Sequence, residues 1–260
     1  MIEAMPPLQR DLHSWVNQAD FHMALVDGDA LVGFGARTKH RAHPQRDLAA
    51  VHAPDRSDVE ALYDAVRGRR PLKIRVPADD FEGLAIAHAR SFTERIRSAT
   101  YRVDAAAFAP VAMPYSLEPV ADATRELHDA LAVLYADTHR WDPPAPFTRR
   151  YVRQAMLAGA QHMAFVRDGT GAPIAAGVVH ASDDEAVAAD VSLVGPLDQS
   201  HPDAELVTRA LLGHLVAPYR LERSPLWFEV DTGPGTNAAL AKVVTSLGVG
   251  EDEVVILTSD

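Results

Sequence analysis

A chain of 260 residues with no cysteine and a formal charge of -11 cannot form disulfides, thiolate nucleophiles or Cys-ligated zinc. It also repels a phosphate backbone unless cations gather on one face. Apolar residues at 47% and charged residues at 23% are those of an ordinary globular protein, with no run approaching the roughly 18 apolar residues of a membrane span. Twelve histidines show no HExxH or His-x3-His spacing, so no metal is expected.

Residues 1–7 lack the basic start and apolar core of a signal peptide, and a cytoplasmic location is expected. Leu8, Leu12, Trp15 and Val16 fall at helical spacing and predict a short amphipathic helix over residues 8–17. Phe21-His22-Met23-Ala24-Leu25-Val26-Asp27-Gly28, followed by an apolar run over 30–35, predicts a hairpin turning at Asp27-Gly28. Residues 41–45 are polar, contain Pro44 and read as a loop. A strand over 48–51 comes next, then a helix over 59–66 opened by the capping-box pattern Ser57-Asp58-Val59-Glu60. A strand over 71–76, a helix over 81–90 and a closing strand within 92–103 complete this half. The basic groups Arg37-Thr38-Lys39-His40-Arg41 and Arg67-Gly68-Arg69-Arg70 are expected to be solvated surface.

Residues 105–114, rich in Ala and Pro and without charge, predict a connection. A strand over 115–118 ending at Pro119 follows, and then a helix over 121–138 with Leu127, Leu131, Leu134 and Tyr135 on one face. His139-Arg140-Trp141-Asp142-Pro143-Pro144-Ala145-Pro146 breaks that helix, because its prolines cannot continue it. A helix over 148–157 leads to a second hairpin, Gln161-His162-Met163-Ala164-Phe165-Val166-Arg167-Asp168-Gly169 and an apolar run over 173–179. Then come a strand over 191–194, a helix over 204–215, a strand over 225–230, a helix over 237–247 and a closing strand within 249–257.

The phrase around His22-Met23-Ala24 thus recurs around His162-Met163-Ala164, and the order of elements after it is the same in both halves. Asp58, Glu60, Leu62, Ala65 and Val66 fall opposite Asp203, Glu205, Val207, Ala210 and Leu211. The division expected is a first domain over 1–104, a linker over 105–114 and a fuller second domain over 115–260.

This order resembles the GNAT superfamily of N-acetyltransferases, and two copies in one chain resemble its tandem members, mycothiol synthase among them. Carrying the resemblance are Val194-x-Pro196 at a central strand end and Asn237 eleven residues before Gly248, similar to the family's Asn-to-Gly-Phe pattern with Val249 in place of Phe. It implies an α/β fold with a mixed sheet, the first of two GNAT-like domains being truncated and degenerate. It also implies acetyl-CoA or another acyl-CoA as cosubstrate, no metal, and acylation of a small-molecule amine through the C-terminal half. Nucleic acid and membrane are not expected as partners, and a homodimer stays open. The other reading is a non-catalytic binding or assembly protein whose cofactor loops have decayed.

In the family the pyrophosphate is held by backbone amides at a helix start, where unpaired N–H groups and the helix dipole favour an anion. The loop form Gln/Arg-x-x-Gly-x-Gly/Ala maps onto Gln199-Ser200-His201-Pro202-Asp203-Ala204: Gln199 and Ala204 fit, while Pro202 stands at the central glycine and has no N–H to give. Pro202 and Asp203 equally read as an ordinary helix start. The resemblance assigns cofactor binding to Leu193, Val194, Gln199, Ser200, His201, Ala204 and Asn237. Glu229 and Asp190 become candidate catalytic carboxylates, and His139, Trp141 and Tyr151 a substrate wall. The family's Tyr acid falls at Val244 and is missing. In the first half, Ser57 and Glu60 are expected to close the helix start, leaving that half a structural role. Thr232-Gly233-Pro234-Gly235 is a second candidate for an anion-contacting loop, or a plain chain reversal.

Overall fold

The computed structural model describes residues 19–40, 42–144, 157–182, 187–221 and 224–260. The helices expected over 8–17 and 148–157, and with them Tyr151, lie outside these residues, apart from Leu157 itself. In the first half the elements are β1 (Phe21–Asp27), β2 (Ala30–Lys39), β3 (Asp47–His52), α1 (Arg56–Val66), β4 (Leu72–Pro77), α2 (Phe81–Ala89) and β5 (Thr93–Asp104). In the second they are β6 (Ser116–Val120), α3 (Arg125–Thr138), β7 (Ala160–Arg167), β8 (Pro173–Ala181), β9 (Ala189–Pro196), α4 (Ala204–Leu215), β10 (Pro225–Thr232), α5 (Ala238–Thr245) and β11 (Val249–Thr258).

Contacts divide the chain into two compact units. One comprises Met1–Arg95 together with Val254–Asp260, and the other comprises Ile96–Glu253. In the first, β1 and β2 form the expected antiparallel hairpin, with Gly28 at φ +59° in its turn; β3 is antiparallel to β2, and β4 is parallel to β3. The strand beyond β4 is the far end of β11, antiparallel from Val254↔Pro77 to Thr258↔Lys73. Leu72, Ile74 and Val76 alternate inward along β4 and pack with Tyr63 and Val66 of α1, Ile86 of α2, and Val255 and Leu257 of β11.

The second unit repeats the pairing: β7 and β8 antiparallel, β8 and β9 antiparallel, β9 and β10 parallel. Beyond β10 lies β5, antiparallel from Pro225↔Asp104 to Thr232↔Arg97. Each unit is therefore finished by the closing strand of the other half of the sequence. Leu226, Phe228 and Val230 alternate inward and bury against Val207, Leu211 and Leu215 of α4 and Leu240, Val243 and Val244 of α5. At i, i+4 and i+8, the α4 residues form the apolar stripe of a helix lying on a sheet. Glycine permits that close approach in both units: a Cβ at Gly177 in β8 would lie 2.7 Å from Leu215 Cδ1, and one at Gly35 in β2 would lie 2.8 Å from Val66 Cγ1.

Several local expectations shift. The helix expected from residue 121 begins at Arg125, because the Thr124 side chain accepts the Leu127 N–H and caps it there. The Ser57–Glu60 box does not open α1: Asp55 is the N-cap, without a side-chain cap bond, and Glu60 is taken by Arg56 at 2.9 Å and by Arg90 at 3.4 Å. The second hairpin turns through Gly171, at φ +87°, with the Asp168 carboxylate accepting from the Thr170 and Ala172 amides, so Asp168-Gly169 is not the positive-φ pair. Pro119 does not end β6, whose one partner among the described residues is β7; an edge strand tolerates a missing N–H. Residues 105–114 include a 3-10 turn, Ala105–Ala107, and the buried Phe108, whose ring lies 5.4 Å from that of Phe228.

Candidate functional site

The parallel pair β9–β10 is in register at Leu226↔Ala189, Trp227↔Asp190 and Phe228↔Val191. β9 then runs on to Pro196 and β10 to Thr232, with no further pair between them among the described residues. Neighbouring strands that both continue after their ladder stops form a fork. In an open parallel sheet, the carboxyl ends of such strands are where ligands bind.

Three segments of the second unit converge at those ends. The C-terminal turn of α3 contributes Asp137, whose carboxylate accepts the Gln199 N–H at 2.9 Å, so that it is tied to the β9–α4 connection. The β10–α5 turn lies on the backbone after α3: Arg140 N–H donates to Gly235 O at 3.2 Å, and a Cβ on Gly235 would fall 2.9 Å from Arg140 Cβ. Asn237 closes the third side. Its carboxamide caps α5 by accepting the Leu240 N–H at 3.2 Å and donates to Val194 O of β9 at 2.9 Å. Asn237, Leu193 and Val194 are all buried. Asn237 thus supplies a hydrogen bond to a β9 carbonyl beyond the end of the ladder, an acceptor that would be costly to bury unpaired.

The expected phosphate loop is coiled on its own acceptors. The Ser200 N–H and Oγ–H both donate to Asp198 Oδ1, at 2.8 and 2.6 Å, and His201 N–H donates to Asp198 O. These bonds hold the Asp198 carboxyl below the usual range, the Ser200 hydroxyl contributing most. Asp203 N–H donates to His201 Nδ1 at 3.1 Å, and Ala204 N–H donates to His201 O. Tyr115 Oη–H donates to Asp203 at 2.5 Å, which raises the Tyr115 pKa. Gln199 points its amide group at Pro196 O at 3.1 Å. The amides of Glu205 and Leu206, in the first turn of α4, donate to no described group.

The proposed carboxylates share one face. The register sets Asp190 beside Trp227, with Glu229 two residues along the same face, away from buried Leu226, Phe228 and Val230. Ser98 of β5 donates to Glu229 Oε1 at 3.3 Å, and Glu229 is solvent-exposed. The Trp227 indole N–H is buried without an acceptor among the described residues. His139 caps α3, stacks on Tyr135 at 3.9 Å between ring centroids and places Nδ1 2.8 Å from Tyr135 O; Trp141 follows 6.1 Å from it. The structure therefore gathers Asn237, Gln199, Ser200, His201 and Ala204 with Val194 around one fork, and Glu229 with Asp190 on the sheet face. Asp137 was not singled out in the sequence; it lies 62 residues from Gln199, and no local pattern marks the pair.

The first unit has a similar fork, paired at Asp47↔Leu72 and Leu48↔Lys73 before β3 continues to His52 and β4 to Pro77. Its helix mouth is different. Residues 53–55 alone join β3 to α1, and Asp58 and Val59 donate to Asp55 O, while the Arg56 and Ser57 amides donate to no described group.

No family model matches the sequence, and no curated protein does. Solved structures match along nearly the whole chain. A GCN5-related N-acetyltransferase from Sphaerobacter thermophilus superposes with a TM-score of 0.64 at 11% identity, over 96% of this chain and 84% of that one. A tandem GNAT protein from the clavulanic acid biosynthesis pathway, in its structure without AcCoA, gives 0.62 at 15% identity over 98% and 89%. A GCN5-related N-acetyltransferase from Kribbella flavida gives 0.56 at 19% identity over 98% and 96%. The chain has the mixed α/β fold of these N-acetyltransferases, one of which is a tandem GNAT. No helix among the described residues is long and apolar enough to cross a membrane, and no cluster of potential metal ligands occurs among them.

Proposed function

We propose that the chain is an acyl-CoA-dependent N-acyltransferase, in its simplest form an N-acetyltransferase, acting on a small-molecule amine at the fork of the second unit. The observation that carries this reading is the fork itself, where two parallel strands part beside a helix mouth. Leu193 and Val194 line one arm, and Asn237 braces it at Val194 O. The free Glu205 and Leu206 amides, at the positive end of α4, fit one phosphate of a pyrophosphate. A fuller grip requires Asp198 and Asp137 to release Ser200 and Gln199, and Pro202 contributes no donor at any stage.

An acyl-CoA supplies an activated thioester. Glu229, exposed and held by Ser98, is placed to take the proton from an ammonium acceptor, and Asp190 on the same face adds negative charge that attracts such a substrate. His139 and Trp141 bound the amine side. The absence of Tyr at position 244 leaves the departing thiolate to be protonated by solvent.

A specific observation favours a second reading. Gln199, Ser200, His201, Asp203 and Ala204 all spend their amides on the protein's own acceptors, two of them carboxylates. In that reading the closed loop binds no acyl-CoA, and the fold serves as a binding module. One titration separates the two. A ligand at about 100 times its Kd stabilises the folded state by about 2.7 kcal/mol, so saturating acetyl-CoA should raise Tm. Asp198→Asn, which removes a charge but keeps an acceptor, should tighten binding, and Glu229→Gln should abolish turnover with binding retained. A chain without cysteine gives no background when released thiol is counted. If neither the natural chain nor Asp198→Asn responds to acetyl-CoA or longer acyl-CoAs, the enzyme reading fails and the second stands.

A further inference from the structure

Two basic groups that look like scattered surface in the sequence come together in the first unit. A cavity of about 440 Å³ is lined by Arg37 and Lys39 from the end of β2, Asp47 from the start of β3, Asp20, and residues 67–70 between α1 and β4. It lies at the end of β3 and β4 where their ladder is intact, away from the fork. Its volume is in the range of small-molecule sites.

The cations fall into two sets. Arg37, half-buried, and Arg70, itself exposed, are tied to the protein's own acceptors. Arg37 Nη1 donates to Val66 O at 2.9 Å and its Nε stands 3.7 Å from buried Asp47; Arg70 Nη1 donates to Pro44 O at 3.0 Å and stands 3.6 Å from the other Asp47 oxygen. Arg37 thereby also satisfies the last carbonyl of α1, which offsets the negative end of that helix. Gly68 lets the chain lie against the guanidinium: a Cβ there would meet Arg37 Nη1 at 2.5 Å. Lys39, Arg67 and Arg69 are exposed, and their side chains have no ion pair or hydrogen bond to any described residue. Asp20 is partly spent on the Lys39 N–H, at 2.9 Å. Five cations against two carboxylates make a positive bowl on a chain whose formal charge is -11.

We propose that this bowl is a binding site for a small polyanion carrying two or more phosphate groups. Guanidinium forks held in place by carbonyls and a buried carboxylate are pre-organised for bidentate contact with phosphate oxygens, and the free outer cations can close over a second group. The net charge of the rest of the chain repels a long nucleic acid, whereas a compact anion can sit within the local positive field. The site lies in the other unit from the fork and does not draw on the acyltransferase reading.

The test is a calorimetric titration of the full chain with inorganic tripolyphosphate in about 50 mM salt, where the Debye length still lets a surface cluster act as a unit. Saturable binding is expected, weakened at least tenfold by Arg67→Ala with Arg69→Ala. These exposed substitutions remove no hydrogen bond or ion pair to any described residue and should leave Tm unchanged. Gly68→Ala, which displaces Arg37, should weaken it as well. Arg125→Ala, an exposed cation elsewhere, should not, and the double variant should leave any response to acetyl-CoA as it was. No saturable binding, binding undiminished in the double variant, or equal loss with Arg125→Ala would each overturn the proposal. A single-stranded oligonucleotide that binds more tightly than tripolyphosphate would overturn the small-ligand assignment.

Discussion

The two units pair their strands in the same order and differ at the mouth of the helix that follows the fork. In the first, residues 53–55 carry the chain straight into α1, and no carboxylate among the described residues reaches the amides of its first turn. In the second, residues 197–203 make a longer loop on which Asp198 and Asp137 act as built-in anions, taking the Ser200 and Gln199 amides. An amide donor at a helix mouth needs an acceptor whether or not a ligand is present. The longer loop pairs its own amides with those carboxylates, while the first-turn amides Glu205 and Leu206 of one helix, like Arg56 and Ser57 of the other, donate to no described group. What finishes the units is alike in kind, since each takes its last strand from the other half of the sequence.

That exchange gives the largest expected effect. Removing residues 254–260 should unfold β1–β4 before it disturbs β7–β10, although the lost residues follow the second half of the sequence. Val255, Ile256 and Leu257 are buried, and at about 1.5–3 kcal/mol each their loss approaches the 5–15 kcal/mol that holds a whole domain together. Hydrogen exchange on the truncated chain would check this. Loss of protection in β7–β10, with β1–β4 intact, would break the comparison.

The outcome could not be read from residues alone. Leu72, Ile74 and Val76, like Leu226, Phe228 and Val230, alternate within a few positions, and so the strands were legible. So was α4, whose stripe of Val207, Leu211 and Leu215 predicts its span. The closing strands alternate equally well in either unit. Only long-range burial, Val255 and Leu257 against Leu72 and Ile74, chooses the partner. Short family patterns draw attention to Asn237 and Gln199, whereas no local pattern in the sequence marks distant pairs such as Asp137 with Gln199 or Ser98 with Glu229. The capping box at Ser57 failed for a related reason: Arg90, thirty residues on, competes for Glu60.

The next effect sharpens the contrast at the forks. Asn237→Ala should destabilise the second unit by about 2–4 kcal/mol, because it removes a helix cap, worth about 1 kcal/mol, and leaves Val194 O buried without its donor, about 1–3 kcal/mol. Urea unfolding followed by β9 and β10 amide exchange would read it. Asn237→Asp should recover the cap and not the carbonyl bond.

Alkaline pH should weaken the first unit through one buried phenol. Burial, with Asp80 nearby, pushes the Tyr63 hydroxyl up to about 12. A folded pKa above the unfolded value of about 10 favours the protonated folded form, so this contribution is whole below pH 10 and is lost as pH rises through 12. The loss is at most about 2–3 kcal/mol for a shift of that size. Tyr63→Phe should flatten the stability of β1–β4 over this interval; an unchanged slope would remove Tyr63 as its cause.

The smallest effect concerns how the last helix of each half is left. α2 ends through Ser91 at φ +65°, a left-handed conformation that costs an L-residue roughly 1–2 kcal/mol, while Ser91 N–H and Phe92 N–H close the turn on His88 O and Ala87 O. α5 ends without a positive φ: Leu247 and Gly248 both donate to Val244 O, and Gly248 is needed for space, since a Cβ there would lie 2.6 Å from Val103 Cγ2. Ser91→Gly relieves strain but gives the unfolded chain more freedom, so a net gain of about 0.5–1 kcal/mol is expected. Gly248→Ala should destabilise the second unit, because the neighbour it meets is fixed in the core. Thermal melts of the two variants should move in opposite directions. A melt in which Ser91→Gly lowers Tm would mean that the serine side chain holds that turn by a bond worth more than its strain.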